Sequence, residues 1–348
     1  MPKVSSNFFG EVDGHAIELF TLENDNGMKA GITTIGGNLV SLFVPDKDGN
    51  CDDVVLGYDN AAAYMTNPTY FGANCGRVAN RIKNGRFTID GVEYQIAQND
   101  GTASLHGGNI GWDKKICDVQ VCTTESCACL KLSFKSPDGD ENYPGNMDVE
   151  ILYSLTNDNQ LKIDYKAVTD KTTPVNMTHH SYFNLAGHKA GTHYAHEMFI
   201  DADYYTPVDE NLIPTGIAPV AGTFLDFTTP KTMGADMDEA AKDFTSGFDH
   251  NFILNKEAGQ YKLAASVYEP TTGRKMDVYT DQPAIQFYAG NFLDGLKGKD
   301  GSLYEKHNGF CLETQVHPDA VNHPDFPSVV LKPGERYRHS VAYAFGVK

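Results

Sequence analysis

Two histidines stand side by side in Thr178-His179-His180-Ser181-Tyr182-Phe183-Asn184-Leu185-Ala186-Gly187. Imidazole is the side chain whose unperturbed pKa lies nearest neutrality, so it can give or take a proton at cellular pH. The run is aromatic and strand-forming, and adjacent side chains of a strand point to opposite faces. At most one of the pair can therefore face a given pocket. A second candidate is Glu313, in Phe310-Cys311-Leu312-Glu313-Thr314-Gln315. Alternation aims Cys311, Glu313 and Gln315 to one side and Phe310, Leu312 and Thr314 to the other. A solvent-facing Glu is the plain alternative, because Glu is seldom buried unpaired.

Other segments are rich in groups that could hold a ligand. Asn80 and Arg81 lie in Gly76-Arg77-Val78-Ala79-Asn80-Arg81-Ile82, and His106 in Ser104-Leu105-His106-Gly107-Gly108. Asp249 lies in Phe248-Asp249-His250-Asn251-Phe252, and Gln286 in a run from Gln282 to Phe292. Each has a simpler reading. Arg81 could be a surface cation, His106 a loop residue bonded to backbone, and Asp249 a turn cap. The adjacent histidines do not match the three- or four-residue spacing of zinc ligands, and no metal is expected. No Gly-x-Ser-x-Gly elbow and no phosphate-binding glycine loop occurs, which argues against serine hydrolases and nucleotide cofactors.

The elements that must position these groups read as strands. The 348 residues include 33 Gly, 16 Pro, 19 Phe and 18 Tyr. Phe87 to Ile96 forms a predicted hairpin around Asp90-Gly91, a pair that favours the tight turn. Val149 to Leu155 and Leu161 to Val168 form another around Asn157-Asp158-Asn159. Further strands are predicted at Leu130 to Phe134, Ala264 to Tyr268, Met276 to Tyr279, Ile285 to Tyr288 and Ser340 to Phe345. Helix is confined to a turn or two at Ala61 to Met65 and Met237 to Lys242. No βαβ rhythm and no linker divides the chain. The expectation is an all-β fold: a single large antiparallel β-sandwich with few short helices, one domain over 1–348, its chemistry on a polar, concave outer sheet face.

A formal net charge of −18 disfavours nucleic acid and anionic membrane as partners. Seven cysteines, an odd number in a large chain, point to free thiols in a reducing compartment. No signal peptide or membrane helix is visible, so a cytoplasmic protein is expected, and the Asn176-Met177-Thr178 sequon reads as an accident.

Taken together, these segments resemble the aldose 1-epimerases, the galactose mutarotases. The likeness runs from about Gly10 to Phe345. It includes Gly-Arg-Val-Ala-Asn-Arg-Ile, Leu-His-Gly-Gly, His-Ser-Tyr-Phe-Asn-Leu-Ala-Gly and Phe-Asp-His-Asn-Phe. It also includes Gln-Phe-Tyr-Ala-Gly-Asn-Phe-Leu-Asp-Gly, the run from Tyr204 to Gly216 and the run from Cys311 to Asn322. The resemblance implies the galactose mutarotase-like supersandwich, a monosaccharide substrate and exchange of α and β anomers without a cofactor. It implies Glu313 as the base on the C1 hydroxyl and His180 as the acid on the ring oxygen. His106 would bond near that oxygen, and Asn80, Arg81, Asp249 and Gln286 would hold other hydroxyls. The two catalytic groups must start in opposite protonation states, and a nearby carboxylate is expected to keep His180 protonated. The family commonly has Asn where this chain has His179, which alternation points away from the pocket. A monomer or weak homodimer is expected. The alternatives are a hexose-6-phosphate 1-epimerase, which would want a cationic cluster near the cleft, and a non-catalytic sugar-binding protein on the same scaffold.

Overall fold

The computed structural model describes residues 1–348 and is built almost wholly of antiparallel strands. The hairpin around Asp90-Gly91 forms as expected: Arg86–Ile89 pairs with Val92–Gln95, and both turn residues have positive φ, 51° and 78°. Gly accepts that conformation freely, and such turns match the twist of the strands they join. Met147–Thr156 and Gln160–Thr169 flank the three-residue turn at Asn157-Asp158-Asn159, with Leu155 opposite Leu161. Helix is limited to Ala61–Thr66 and Met237–Ala240, apart from single 3₁₀ turns. No helix is long and apolar enough to cross a membrane.

Three larger sheets result. Nine strands form the broadest, from Asp118–Val121 at one edge to Lys231–Thr232 at the other. The last strand of the chain, Tyr337–Val347, inserts in its middle between Gln160–Thr169 and Arg274–Thr280. The first residues, from Lys3–Val12 to Cys51–Asp53, fold into a five-stranded meander that the sequence reading had not singled out. A second five-stranded sheet is ordered Ala218–Pro219, Tyr204–Thr206, Asp249–Ile253, Ala284–Tyr288, Cys311–Gln315.

Alternation decides what each face does. Along Met147–Thr156 the residues Met147, Val149, Ile151, Tyr153 and Leu155 are buried, and Asp148 between the first two is exposed. These side chains meet Leu22 and Ile32 of the meander and Phe252, Phe287 and Leu312 of the second five-stranded sheet in one core cluster of 55 buried residues. Tyr343, from the central strand of the nine, donates its hydroxyl to Leu312 O at 3.2 Å. The second five-stranded sheet thus lays its apolar face on the core. Its other face is left for polar residues. The sandwich expectation holds, and that polar face floors a cleft in which its side chains are largely covered.

A short ladder adds the remaining piece. Thr178–His180 pairs with Ala73–Cys75, placing His179 opposite Asn74 and His180 opposite Ala73. The Asn74 amide is fully buried and fully used. Its Nδ2 donates to Gly36 O and Gly37 O, both at 2.9 Å, and its Oδ1 accepts the Tyr165 hydroxyl at 2.6 Å. Removing one member of such a network leaves several buried groups unpaired. Asn74→Ala is therefore expected to cost about 3 kcal/mol in urea unfolding. A loss under about 1 kcal/mol would show that the network is not holding this ladder.

Candidate active site

The segments singled out in the sequence meet in an open cleft of ≈ 550 Å³. Asn80, Arg81, His106, His180, Asp249 and Glu313 all line it. Gln286 does not. It lies behind Asp249, to whose Oδ1 its Nε2 donates at 2.6 Å. A larger hollow of ≈ 700 Å³ sits beside Asp148, Lys166 and Arg338. It holds no histidine and none of the candidate site residues singled out in the sequence, so size does not pick the site.

The floor is the polar face of the second five-stranded sheet. Strand register sets Asn251, Gln286 and Glu313 in one row, and Asp249, Tyr288 and Cys311 in the next. The alternation read for Cys311–Gln315 holds: Leu312 enters the core, Thr314 Oγ1 meets His339 Nε2 at 2.9 Å, and Cys311 and Glu313 face the cleft side. His180 Nε2 stands 3.5 Å from Glu313 Oε1, with both side chains under a tenth exposed. His180 Nδ1 is 3.5 Å from the Cys311 thiol. Glu313 Oε2 is buried without any hydrogen-bond partner. His179 does point away. Its ring sits against Tyr153 and Tyr343, and its Nε2 is 2.7 Å from Ser181 Oγ.

The wall is built from two tight turns. Asn80 N–H donates to His106 Nδ1 at 3.2 Å, and His106 N–H donates back to Asn80 O at 3.0 Å. Both residues hold left-handed backbone, φ 58° and 49°, a strained state often kept at functional sites. The glycine after His106 is required, because a Cβ on Gly107, at φ +95°, would collide with Gly76 O. Nδ1 of His106 accepts a hydrogen bond, so the neutral ring carries its proton on Nε2. Arg81 is held by Asp100, Nε to Oδ2 at 2.7 Å, which leaves its terminal nitrogens for a ligand.

Several residues in the cleft or bonded to its lining escaped the sequence reading. Asp100 and Tyr70 gave no signal of their own. Tyr182, Tyr288 and Phe292 stand inside the quoted motifs but carry no acid–base signature. Tyr182 and Tyr288 pack on the His180 ring at centroid separations of 5.2 and 6.2 Å, and Tyr70 at 5.9 Å.

Burial governs the charges. It lowers His180 to about 4 and drives His106 well below the imidazole range. Burial, then the Asp249 carboxylate, push Glu313 well above the usual carboxylate range. Desolvation favours the uncharged form of each partner, which works against the carboxylate expected to keep His180 protonated. The proton count is unchanged. A carboxyl with an imidazole holds one proton, as does a carboxylate with an imidazolium, so the pair titrates as a unit.

One ligating atom from each of His106, His180 and Glu313 falls within 4.8 Å of the others. The donor chemistry fits a cation poorly. To ligate through Nε2, His106 would need its proton on Nδ1, facing the Asn80 N–H donor; metal-binding histidines instead give that proton to an acceptor.

The family model described as Aldose 1-epimerase matches residues 18–344. A galactose mutarotase of Rattus norvegicus is 47% identical over the full length of both chains, and one of Homo sapiens 46%. An aldose 1-epimerase of Escherichia coli is 37% identical over 96% of each chain. Among solved structures, a galactose 1-epimerase from Lactobacillus acidophilus superposes with TM-score 0.87 at 29% identity, covering 100% of this chain and 99% of that one. An aldose epimerase homologue from C. elegans gives TM-score 0.87 at 29% identity, over 99% of each chain.

The buried histidines predict steep acid sensitivity. Burial lowers His179 and His193 to about 3, and His196, His317 and His339 to about 4. Each stays neutral in the fold while the unfolded chain protonates it below about 6.5. Their stability is complete above that pH and is lost as pH falls from about 6.5 through 4, each adding up to about 1.4 kcal/mol per pH unit. Glu313, Asp113 and Asp319, whose carboxyls burial pushes up, act in the opposite sense. The urea midpoint should drop sharply between pH 7 and pH 5; an unchanged midpoint would contradict these burials.

Proposed function

The chain belongs to the aldose 1-epimerase family, and from that premise we propose that it exchanges the α and β anomers of free hexoses such as galactose and glucose by acid–base ring opening. The enzyme is an isomerase. We assign the whole chain, 1–348, to one catalytic unit working in the cytoplasm as a monomer or weak homodimer. The observation that carries the assignment of roles is the pairing of His180 with Glu313, whose Oε2 is buried and unpartnered. An unsatisfied buried oxygen is costly, and a sugar hydroxyl would satisfy it.

In this reading the pair's one proton sits on His180 when sugar is bound, and Glu313 takes the proton of the C1 hydroxyl as the bond between C1 and the ring oxygen breaks. The bond electrons pass to that oxygen, which takes a proton from His180. The open aldehyde turns about its C1–C2 bond, and the reverse steps close the ring on the other face. The pair starts with one proton, gains one from the hydroxyl and gives one to the ring oxygen. Its net charge therefore never changes, which suits a site where an unbalanced charge would be expensive. His106 donates from Nε2 beside the ring oxygen, and Arg81, Asn80 and Asp249 orient the other hydroxyls. Gln286 acts through Asp249. Orientation of this kind supplies a large share of the acceleration.

The surroundings favour a neutral sugar over a hexose 6-phosphate. Arg81 is the one cation lining the cleft, and it is paired with Asp100. The Arg77 guanidinium is buried on Pro144 O and Ser136 Oγ, and Arg86 pairs with Glu93 at the surface.

Polarimetry with α-D-galactose and α-D-glucose tests the proposal. Glu313→Gln should lower kcat about 100- to 10 000-fold with little change in KM. Sugar binding by the wild type without anomer exchange would make the chain a binding protein instead. The rate should follow a bell-shaped pH profile, falling on the acid side near pH 4, where a second proton silences the base. An acid limb at the ordinary imidazole pKa of about 6.5 would contradict the buried pair. Chelation by EDTA should leave the rate unchanged; loss restored by zinc would turn His106, His180 and Glu313 into a metal centre.

A further inference from the structure

Three of the seven cysteines gather on the nine-stranded sheet, away from the strands that build the cleft. Cys127–Ser136 alternates cleanly. Ala128, Leu130, Leu132 and Phe134 enter the core, so Cys127, Cys129 and Lys131 share the outer face. The Cys127 and Cys129 sulfurs lie 3.0 Å apart. Register sets Ser154 beside Cys129 on one side, its Oγ 3.6 Å from the sulfur. Cys122 lies on the other side, its N–H bonded to Cys129 O at 3.1 Å. Cys122 and Cys127 are partly exposed, and Cys129 is covered.

We propose that Cys127 and Cys129 form a reversible dithiol–disulfide site whose co-substrate is a small-molecule disulfide of the glutathione type. Contact between two thiols places a nucleophile and its resolving partner together before any reaction. Either sulfur can donate its S–H to the other, and burial, then the contact with Cys129, hold the Cys127 thiol up at about 12. Cys129 is then the attacking sulfur.

The step balances. The Cys129 thiolate attacks one sulfur of the small disulfide, breaks its S–S bond and expels one thiol. Cys127, giving up its proton, then attacks the mixed disulfide at the Cys129 sulfur and expels the second thiol. The protein dithiol is oxidised by two electrons and the small disulfide is reduced to two thiols. Positions two apart on an extended strand have Cα atoms about 6.6 Å apart, near the upper end of what a disulfide spans. Closure must bend the strand, and Cys127 is its first residue, beside the turn. A bridge closed against that resistance belongs with readily reduced disulfides rather than permanent ones.

The test equilibrates the full chain in glutathione buffers of graded oxidation, quenches with acid, unfolds, alkylates and weighs it. Fully reduced chain should take seven alkyl groups. Oxidised chain should take two fewer with no glutathione attached, and dithiothreitol should reverse the change. Cys122→Ser should keep the transition. Cys127→Ser should trap one glutathione on Cys129, and Cys129→Ser should abolish closure. A wild-type count that never changes would overturn the proposal, as would a closure that needs Cys122 or survives in Cys129→Ser. Circular dichroism of each variant separates lost chemistry from lost fold.

Discussion

A carboxylate and an imidazole buried 3.5 Å apart can share one proton only while something else holds them there. Both side chains are under a tenth exposed. Each is costly in its charged form, and a charge left on one alone is costlier still. The backbone beneath them must therefore be rigid, and the groups around them must already be satisfied. Asn74 locks the strand that carries His180, and Thr314, bonded to His339, secures the back of the strand that carries Glu313.

The broad sheet supplies the rigidity. Its inner face is a continuous apolar layer, and the second five-stranded sheet rests on it through Phe252, Phe287 and Leu312. With one face committed to the core, that sheet presents Asp249, Gln286 and Glu313 on the other. Period-two alternation thus converts a packing requirement into a chemical one. Shifting any of these strands by one residue would send its polar side chain into the core and its apolar neighbour into the cleft. The wall is different in kind. Asn80 and His106 sit on strained turns that bond to each other, and their geometry comes from that reciprocal pair rather than from a sheet.

Comparison of the sequence reading with the structure separates two sorts of information. The hairpins at Asp90-Gly91 and Asn157 to Asn159, the short helices and the opposite facings of His179 and His180 were legible, because turn chemistry and alternation are local. The N-terminal meander went unremarked although it alternates too. Asp100 was invisible as a partner of Arg81, since nothing local ties a carboxylate to a guanidinium 19 residues away. Gln286 was legible as polar and cleft-side, but its place behind Asp249 depends on three strands meeting in register. The downward push of burial on His180 was not legible for the same reason. A neighbouring carboxylate is a local argument, whereas complete burial is a property of the assembled molecule.

The sequence by itself determined the strand-rich fold, the alternation that splits apolar from polar faces, and the motifs that point to anomer exchange. These are properties of short segments, where side-chain order and backbone geometry suffice. Only the tertiary structure decided that residues 80, 106, 180, 249 and 313 share one cleft. It alone left Glu313 Oε2 without a partner and brought His180 within reach of the carboxylate. It also decided how their single proton is held. Those outcomes depend on distance and desolvation, which exist only once strands far apart in the chain have been packed together.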